Sequence, residues 1–153
     1  MTFWIGIDPG TKRIGIAAGA IAPGIASPVG VIAAEPAAGA LARVAEFIQQ
    51  YEAQGLVVGY PLNMDGSAGP QAKHAVALAA DLAKATGLDV RLWDERLTSF
   101  AADAALAGHL TRKKRKARQD ALAAAKMLQD FFDAGGPDRA PRWDQVGDAA
   151  EPQ

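Results

Sequence analysis

Apolar positions along the chain first cluster in a short run, Phe3-Trp4-Ile5-Gly6-Ile7, which a carboxylate, Asp8, ends abruptly. Pro9, Gly10 and Thr11 follow, and a second apolar run starts at Ile14. Two apolar runs around a cluster of turn residues predict a strand, a tight turn and a second strand. The strands are expected over about Phe3–Ile7 and Arg13–Ala18. A Gly/Pro/Ala connection over Gly19–Ala26 leads to a third strand over about Pro28–Ile32. Short links between successive strands make this an antiparallel meander.

The period then changes. Leu41, Val44, Ala45 and Ile48 fall at i, i+3, i+4 and i+7, which predicts a helix from Pro36 to about Glu52, closed by Gly55. Leu56-Val57-Val58-Gly59-Tyr60 is a continuous apolar run, as in a strand buried on both faces. A loop rich in turn residues, Pro61 to Gly69, precedes a second helix from Pro70 to about Ala85, ended by Gly87. Its apolar positions include Ala75, Leu78 and Leu82. Val90–Trp93 is the fifth strand, followed by Asp94-Glu95-Arg96. Thr98 or Ser99 can cap a third helix that stops at Gly108. The segment Arg112–Arg118 is then a charged, mobile connection to a last helix, Gln119–Asp133, with Leu122, Ala125, Leu128 and Phe132 on its apolar side.

This order predicts an α/β protein with a mixed five-stranded sheet, an antiparallel meander plus parallel strands, flanked by helices. One domain is expected over residues 1–133. Residues 134–153, polar, acidic and Pro-rich, are expected to form a disordered tail.

Composition narrows the chemistry. The 153 residues suit one domain with a proper core. There is no cysteine, which excludes disulfides, thiolate metal sites and cysteine nucleophiles. With only His74 and His109, a metal site would be built from oxygen ligands. Sixteen basic residues face 17 acidic ones, but six of the cations lie in Arg112–Arg118; without them the balance is ten against 17, or −7. An acidic body with one dense basic segment points to a polyanion held at one place. Ile14 to Ala34 carries no charge and is long enough to cross a bilayer. Its two prolines and four glycines make it strands around a turn instead. No signal peptide opens the chain, and a cytoplasmic protein without a membrane partner is expected.

Two predicted strands end in acids, Asp8 on the first and Asp94-Glu95 on the fifth. If these strands are parallel, the acids share one sheet edge, where open α/β sheets keep their sites. Asp120, in the first turn of the last helix, is a third candidate. Gathered carboxylates repel one another unless a cation joins them, and Mg²⁺ or Mn²⁺ prefers such oxygens. Taken singly, Asp94-Glu95 reads more readily as a solvated strand end, and Asp120 as a residue favoured by the helix dipole; their coincidence with Asp8 and a basic run is what points to a metal. Lys12, Arg13 and Arg96 lie beside these acids and could pair with them or touch phosphate.

Four stretches carry a resemblance. Gly6-Ile7-Asp8-Pro9-Gly10-Thr11-Lys12-Arg13-Ile14-Gly15, Val58 to Ser67, Asp94-Glu95-Arg96-Leu97-Thr98-Ser99, and Arg112-Lys113-Lys114-Arg115-Lys116 followed by Asp120 resemble, in order and spacing, the YqgF/RuvX family. These are bacterial relatives of the Holliday-junction resolvases. The resemblance spans roughly Trp4 to Asp133. It implies a ribonuclease H-like fold and a metal-dependent endonuclease that trims the 5′ end of the small-subunit (16S) ribosomal RNA precursor. It also implies Asp8, Glu95 and Asp120 as catalytic, metal-binding acids, using Mg²⁺ or Mn²⁺. Lys12, Arg13, Arg96, Arg112, Lys113, Lys114, Arg115 and Lys116 are then the expected nucleic-acid contacts. After the second strand the family usually carries a polar Ser-Asp, where Ala18-Gly19-Ala20 stands here; that alters the rim of the cleft and leaves the acids in place.

Three functional classes follow. The first is the nuclease, acting on RNA or on branched DNA as a monomer or homodimer. The second is a phosphotransferase, because Ile7-Asp8-Pro9-Gly10-Thr11 also resembles the phosphate loop of sugar-kinase and actin-like ATPases; those need two such domains around the nucleotide. The third is a non-catalytic nucleic-acid-binding module that keeps the acids as structure.

Overall fold

The computed structural model describes residues 2–97 and 112–145, with the backbone alone at 97 and 112–116. Strands β1 (Phe3–Pro9), β2 (Arg13–Ala20) and β3 (Ile25–Ala33) form the meander. Helix α1 (Ala37–Tyr51), strand β4 (Gly55–Tyr60), helix α2 (Pro70–Thr86) and strand β5 (Asp89–Asp94) follow, then a short 3-10 turn (Glu95–Leu97) and helix α3 (Arg112–Ala134). The sheet order is β3-β2-β1-β4-β5. β1 pairs antiparallel with β2 and parallel with β4, and β4 pairs parallel with β5. β1 is therefore central, and the C-terminal ends of β1, β4 and β5 open onto one edge. The expected mixed sheet is the observed one.

Strand parity divides the core in two, since alternate side chains leave a strand on opposite faces. Ile5, Ile7, Ile14, Ile16, Leu56, Val58, Val90 and Leu92 join one cluster with Val44, Ala75 and Leu82 of α1 and α2. Trp4, Ala17, Val57 and Trp93 join the other with Ala124, Met127, Leu128 and Phe131 of α3. The Phe131 ring stands 5.2 Å from Trp4 and 6.2 Å, edge-on, from Trp93. Such ring pairs add about 0.5–1.5 kcal/mol each beyond their buried area.

Glycine sets how closely α3 approaches. A Cβ on Gly6 would stand 3.0 Å from the Leu128 Cβ and 3.3 Å from the Ala124 carbonyl oxygen. One on Gly15 would overlap the backbone carbonyl of Asp120, and one on Gly19 would meet the Phe132 ring at 2.9 Å. Asp120, Ala124, Leu128 and Phe132, spaced by four, thus ride on a glycine floor. This shifts the buried stripe from the expected one. Ala125 and Leu128 are buried as expected, and Ala121, Ala124, Met127 and Phe131 join them, while Leu122 and Phe132 are only half-buried. Closeness of backbones favours small side chains over large apolar ones.

Four expectations change. Helix α1 ends at Glu52, which adopts the left-handed conformation (φ 51°) and donates its N–H to the Gln49 and Ile48 carbonyls; Gly55 instead begins β4. Within α1, Ala45 is exposed, and Ala40 and Val44 are buried. The basic segment is not a connection: Arg112–Arg118 forms the first part of α3. Lysine and arginine are good helix formers, and like-charge repulsion on an exposed helix costs only a few tenths of a kcal/mol per pair. Asp120 consequently lies inside the helix rather than in its first turn, so the dipole is not what places it.

The fourth concerns the expected tail, whose ordered part covers the β5 edge. Gly136–Arg139 forms a 3-10 turn, and Arg142 bridges to Arg91 as an antiparallel pair. Leu92 donates its N–H to the Pro141 carbonyl at 2.9 Å. The Arg91 guanidinium donates to the Pro137 and Ala140 carbonyls at 2.8 and 2.9 Å. Trp143 packs on the α1/α2 core. An open strand edge with unpaired N–H groups favours such a cover, and one tryptophan anchors an otherwise polar segment. The helix expected between Thr98 and Gly108, and the tail from residue 146, lie outside the described residues.

Candidate functional site

Parity also selects the residues at the open edge. Trp4, Gly6 and Asp8 face α3, as do Val57 and Gly59 on β4 and Arg91 and Trp93 on β5; Glu95 continues that face, and Asp94 belongs to the other. Asp8 is mostly buried and pairs in register with Gly15 of β2, the residue beneath the Asp120 carbonyl. Glu95 folds back over Gly59, where a Cβ would overlap its carboxylate. Two glycines thus leave room for two acids.

Asp8 and Glu95 meet in a hydrogen bond. Burial is the main cause that pushes the Glu95 carboxyl up to about 9, with the Asp8 bond and the charges of Asp8 and Asp94 adding to it. Burial likewise raises Asp8, helped by the charge of Asp120 and opposed by the Glu95 bond. Glu95 is therefore biased toward its protonated form, bonded to the Asp8 carboxyl. Two acids held this way, close and desolvated, are short of a cation.

Asp120 is placed differently. Its Oδ2 accepts from the Arg13 Nε–H at 2.7 Å. Among the described residues no three His, Cys, Asp or Glu side chains are gathered as a metal-holding group. Of the three expected acids, the fold joins Asp8 and Glu95 directly and holds Asp120 beside them on an arginine.

Asp94 is engaged elsewhere. The Arg96 guanidinium clasps it, Nη2 to Oδ2 at 2.6 Å and Nε at 3.0 Å, which holds the Asp94 carboxyl below the usual range. The same guanidinium donates to the Asn63 and Met64 carbonyls at 3.4 and 3.3 Å. The β4–α2 loop is further fixed by Ser67, which donates from its N–H and hydroxyl to Asp65 at 2.9 and 2.6 Å. Arg96, one of the cations expected on nucleic acid, here braces β5 against this loop. Lys12 is exposed on the β1–β2 turn and Arg13 is half-buried. The side chains of Arg112, Lys113, Lys114, Arg115 and Lys116 lie outside what is described.

Two residues escaped the sequence reading, Gly15 and Gly59. Their signal was there: a glycine inside a strand often marks a close approach of another backbone or of a ligand. We expect the two neighbouring acids to separate cleanly. Glu95→Gln should remove Mn²⁺-dependent cleavage, and Asp94→Asn should reduce it less, by loosening the Arg96 brace. A larger loss at Asp94 in the same assay would reverse the assignment.

Comparison with known proteins places the chain among relatives. The model of the family described as RuvX, Holliday junction resolvase, matches residues 2–134. A protein of Acidiphilium cryptum named "Putative pre-16S rRNA nuclease" is 43% identical over 130 residues, covering 84% of this chain and 82% of its own length. A protein of Opitutus terrae with the same name is 44% identical over 140 residues, covering 90% and 95%. Among solved structures, Thermus thermophilus RuvC in complex with a Holliday junction substrate superposes with a TM-score of 0.57 at 19% identity, over 93% of this chain and 99% of that one. That likeness shows a shared fold, the ribonuclease H-like one.

Proposed function

The chain belongs to the RuvX family, and on that premise we propose that it is a metal-dependent endonuclease that processes the 5′ end of the 16S ribosomal RNA precursor. The observation that carries the chemistry is the close-set, half-buried Asp8–Glu95 pair at the C-terminal edge of β1 and β5. The donor set fits a hard divalent cation, since it is all oxygen. Asp8 and Glu95 would hold a Mg²⁺ or Mn²⁺ ion, with Asp120 as a third donor; such an ion polarises a phosphodiester and lowers the pKa of a bound water. Glu95 must give its proton to solvent to serve as a ligand. Lys12 and Arg13 stand at the mouth of the cleft, where they can hold the phosphate backbone. The relatives' name supports RNA as the substrate and a cytoplasmic place of action. No helix among the described residues is long and apolar enough to cross a membrane.

The test is cleavage of labelled single-stranded RNA, 16S precursor 5′ ends and four-way DNA junctions, side by side, with Mg²⁺ or Mn²⁺. Cleavage of the precursor ends above the others supports the proposal. Preference for the junction moves it to a resolvase, and nucleic-acid binding without cleavage in either metal leaves a binding module.

The helical basic segment gives a second measurement. Changing Lys113, Lys114, Arg115 and Lys116 to Ala keeps helix propensity and removes four cations. Binding should weaken alike for all single-stranded RNAs, because phosphate contacts carry no sequence information directly. The slope of log affinity against log salt should flatten by about 3, at about 0.7 per lost phosphate contact. Equal affinities and slopes for the variant and the parent would leave the segment without a binding role.

A further inference from the structure

Resting on the nuclease reading, we propose that Arg13 is a phosphate-operated latch on Asp120. It keeps that carboxylate turned from the metal site until a substrate phosphodiester takes its place. Arg13 is the first residue of β2, and parity puts it on the α3 face with Gly15. Gly15 seats the Asp120 carbonyl and lies beside Asp8. The latch is thus built into the strand that also sets the height of α3 above the site.

Three observations carry the exchange. The Arg13–Asp120 contact is short, 2.7 Å, so the carboxylate is committed to it. Both side chains are part-exposed, 35% and 28%, so the pair stands at the cleft mouth where a ligand can reach it. An ion pair so open to water contributes little to stability and is easily traded. The third observation is chemical. A guanidinium fork fits a phosphate as well as it fits a carboxylate, so a backbone phosphate entering the cleft competes with Asp120 for the same group. Once released, Asp120 lies close enough to Asp8 for their charges to interact. Arg13 would then hold the substrate while Asp120 completes the set with Asp8 and Glu95. The third oxygen donor is delivered only when there is a phosphodiester to cut.

Four proteins test this: the parent, Arg13→Gln, Asp120→Asn and the double variant. Mn²⁺ is titrated alone, without nucleic acid. Arg13→Gln should bind Mn²⁺ about fivefold or more tightly than the parent, a usual size for coupling between sites. That gain should largely vanish in the Asp120→Asn background, which separates release of the carboxylate from mere loss of a positive charge. In the reverse direction, a single-stranded RNA oligonucleotide is titrated with chelator present, so that nothing is cleaved. Asp120→Asn should bind it more tightly than the parent, and that gain should shrink in the Arg13→Gln background. Effects of Arg13 that are the same with and without Asp120, in a parent that binds Mn²⁺ and cleaves, overturn the latch and leave the nuclease reading standing. A parent that neither binds Mn²⁺ nor cleaves overturns both.

Discussion

Asp8→Asn is expected to abolish cleavage while making the metal-free protein more stable at neutral pH. The two effects come from one carboxylate. As a ligand, Asp8 lies at the end of the central strand, between Gly15 and the acid over Gly59. As a buried charge beside Glu95 and Asp120, it is a cost to the empty fold. Each 1 kcal/mol relieved should raise the melting temperature by about 2–4 °C for a chain of this size. The pH dependence has a definite sign. Glu95 is raised from the ordinary glutamate range to about 9, and Asp8 is also raised. Below about pH 4 both carboxyls are protonated folded and unfolded alike, so the pair costs nothing. As pH rises toward 9 the unfolded chain releases protons that the folded one retains, and stability falls through that window. The melting temperature of the metal-free parent should therefore drop between about pH 5 and 9. Asp8→Asn should flatten that drop, and saturating Mn²⁺ should reverse it by binding the folded form. A variant that melts lower than the parent at pH 8 would mean that Asp8 holds the fold together rather than a ligand.

Gly15→Ala should damage stability and activity together, although it adds only one methyl group and removes no expected ligand. The new Cβ would collide with the Asp120 backbone carbonyl, which no rotamer change can move. Helix α3 must lift from the sheet, at roughly 1–3 kcal/mol or more for an overpacked contact. That lift carries Asp120 away from Asp8, and misplacement by about 1 Å can cost on the order of 10²-fold in rate. Gly30→Ala is the control, because its nearest neighbour would be the Phe47 ring at an ordinary 3.9 Å. Thermal melting and Mn²⁺-dependent cleavage of both variants decide the point. Normal cleavage in Gly15→Ala would mean that α3 is not held by the glycine floor.

Much of this site was legible in the chain. The apolar run that ends in Asp8, and another strand ending in Asp94-Glu95, were enough to bring the acids to one edge. Strand parity admits only one of Asp94 and Glu95 to that site, the resemblance chose Glu95, and the Arg96 clasp holds Asp94 elsewhere. Less legible was anything that depends on distance between elements. Whether Arg13 or Arg96 holds phosphate or a neighbouring acid turns on what packs opposite, and sequence adjacency does not say. Arg112–Arg118 looked like a solvated connection because charge density suggests repulsion. It is helical because lysine and arginine favour the helix, and because the next four turns are anchored by Ala124, Leu128 and Phe131. The glycines were visible and undervalued. Gly6, Gly15, Gly19 and Gly59 sit at face-matched positions in three strands, a pattern that reports a backbone pressed against the sheet.

The strap over β5 bears on where this protein can be cut. The family match ends at residue 134, yet the sheet is not closed until the chain has passed Arg142 and Trp143. A chain trimmed at residue 134 would keep every candidate catalytic acid. It would also bare the Leu92 N–H, strip the Arg91 guanidinium of two carbonyl acceptors and uncover apolar surface where Trp143 had packed. The result would be a strand ready to pair with its own copies, so a truncation meant to simplify the enzyme would select for clumping instead. For this molecule the segment outside the family's span is a guard on solubility.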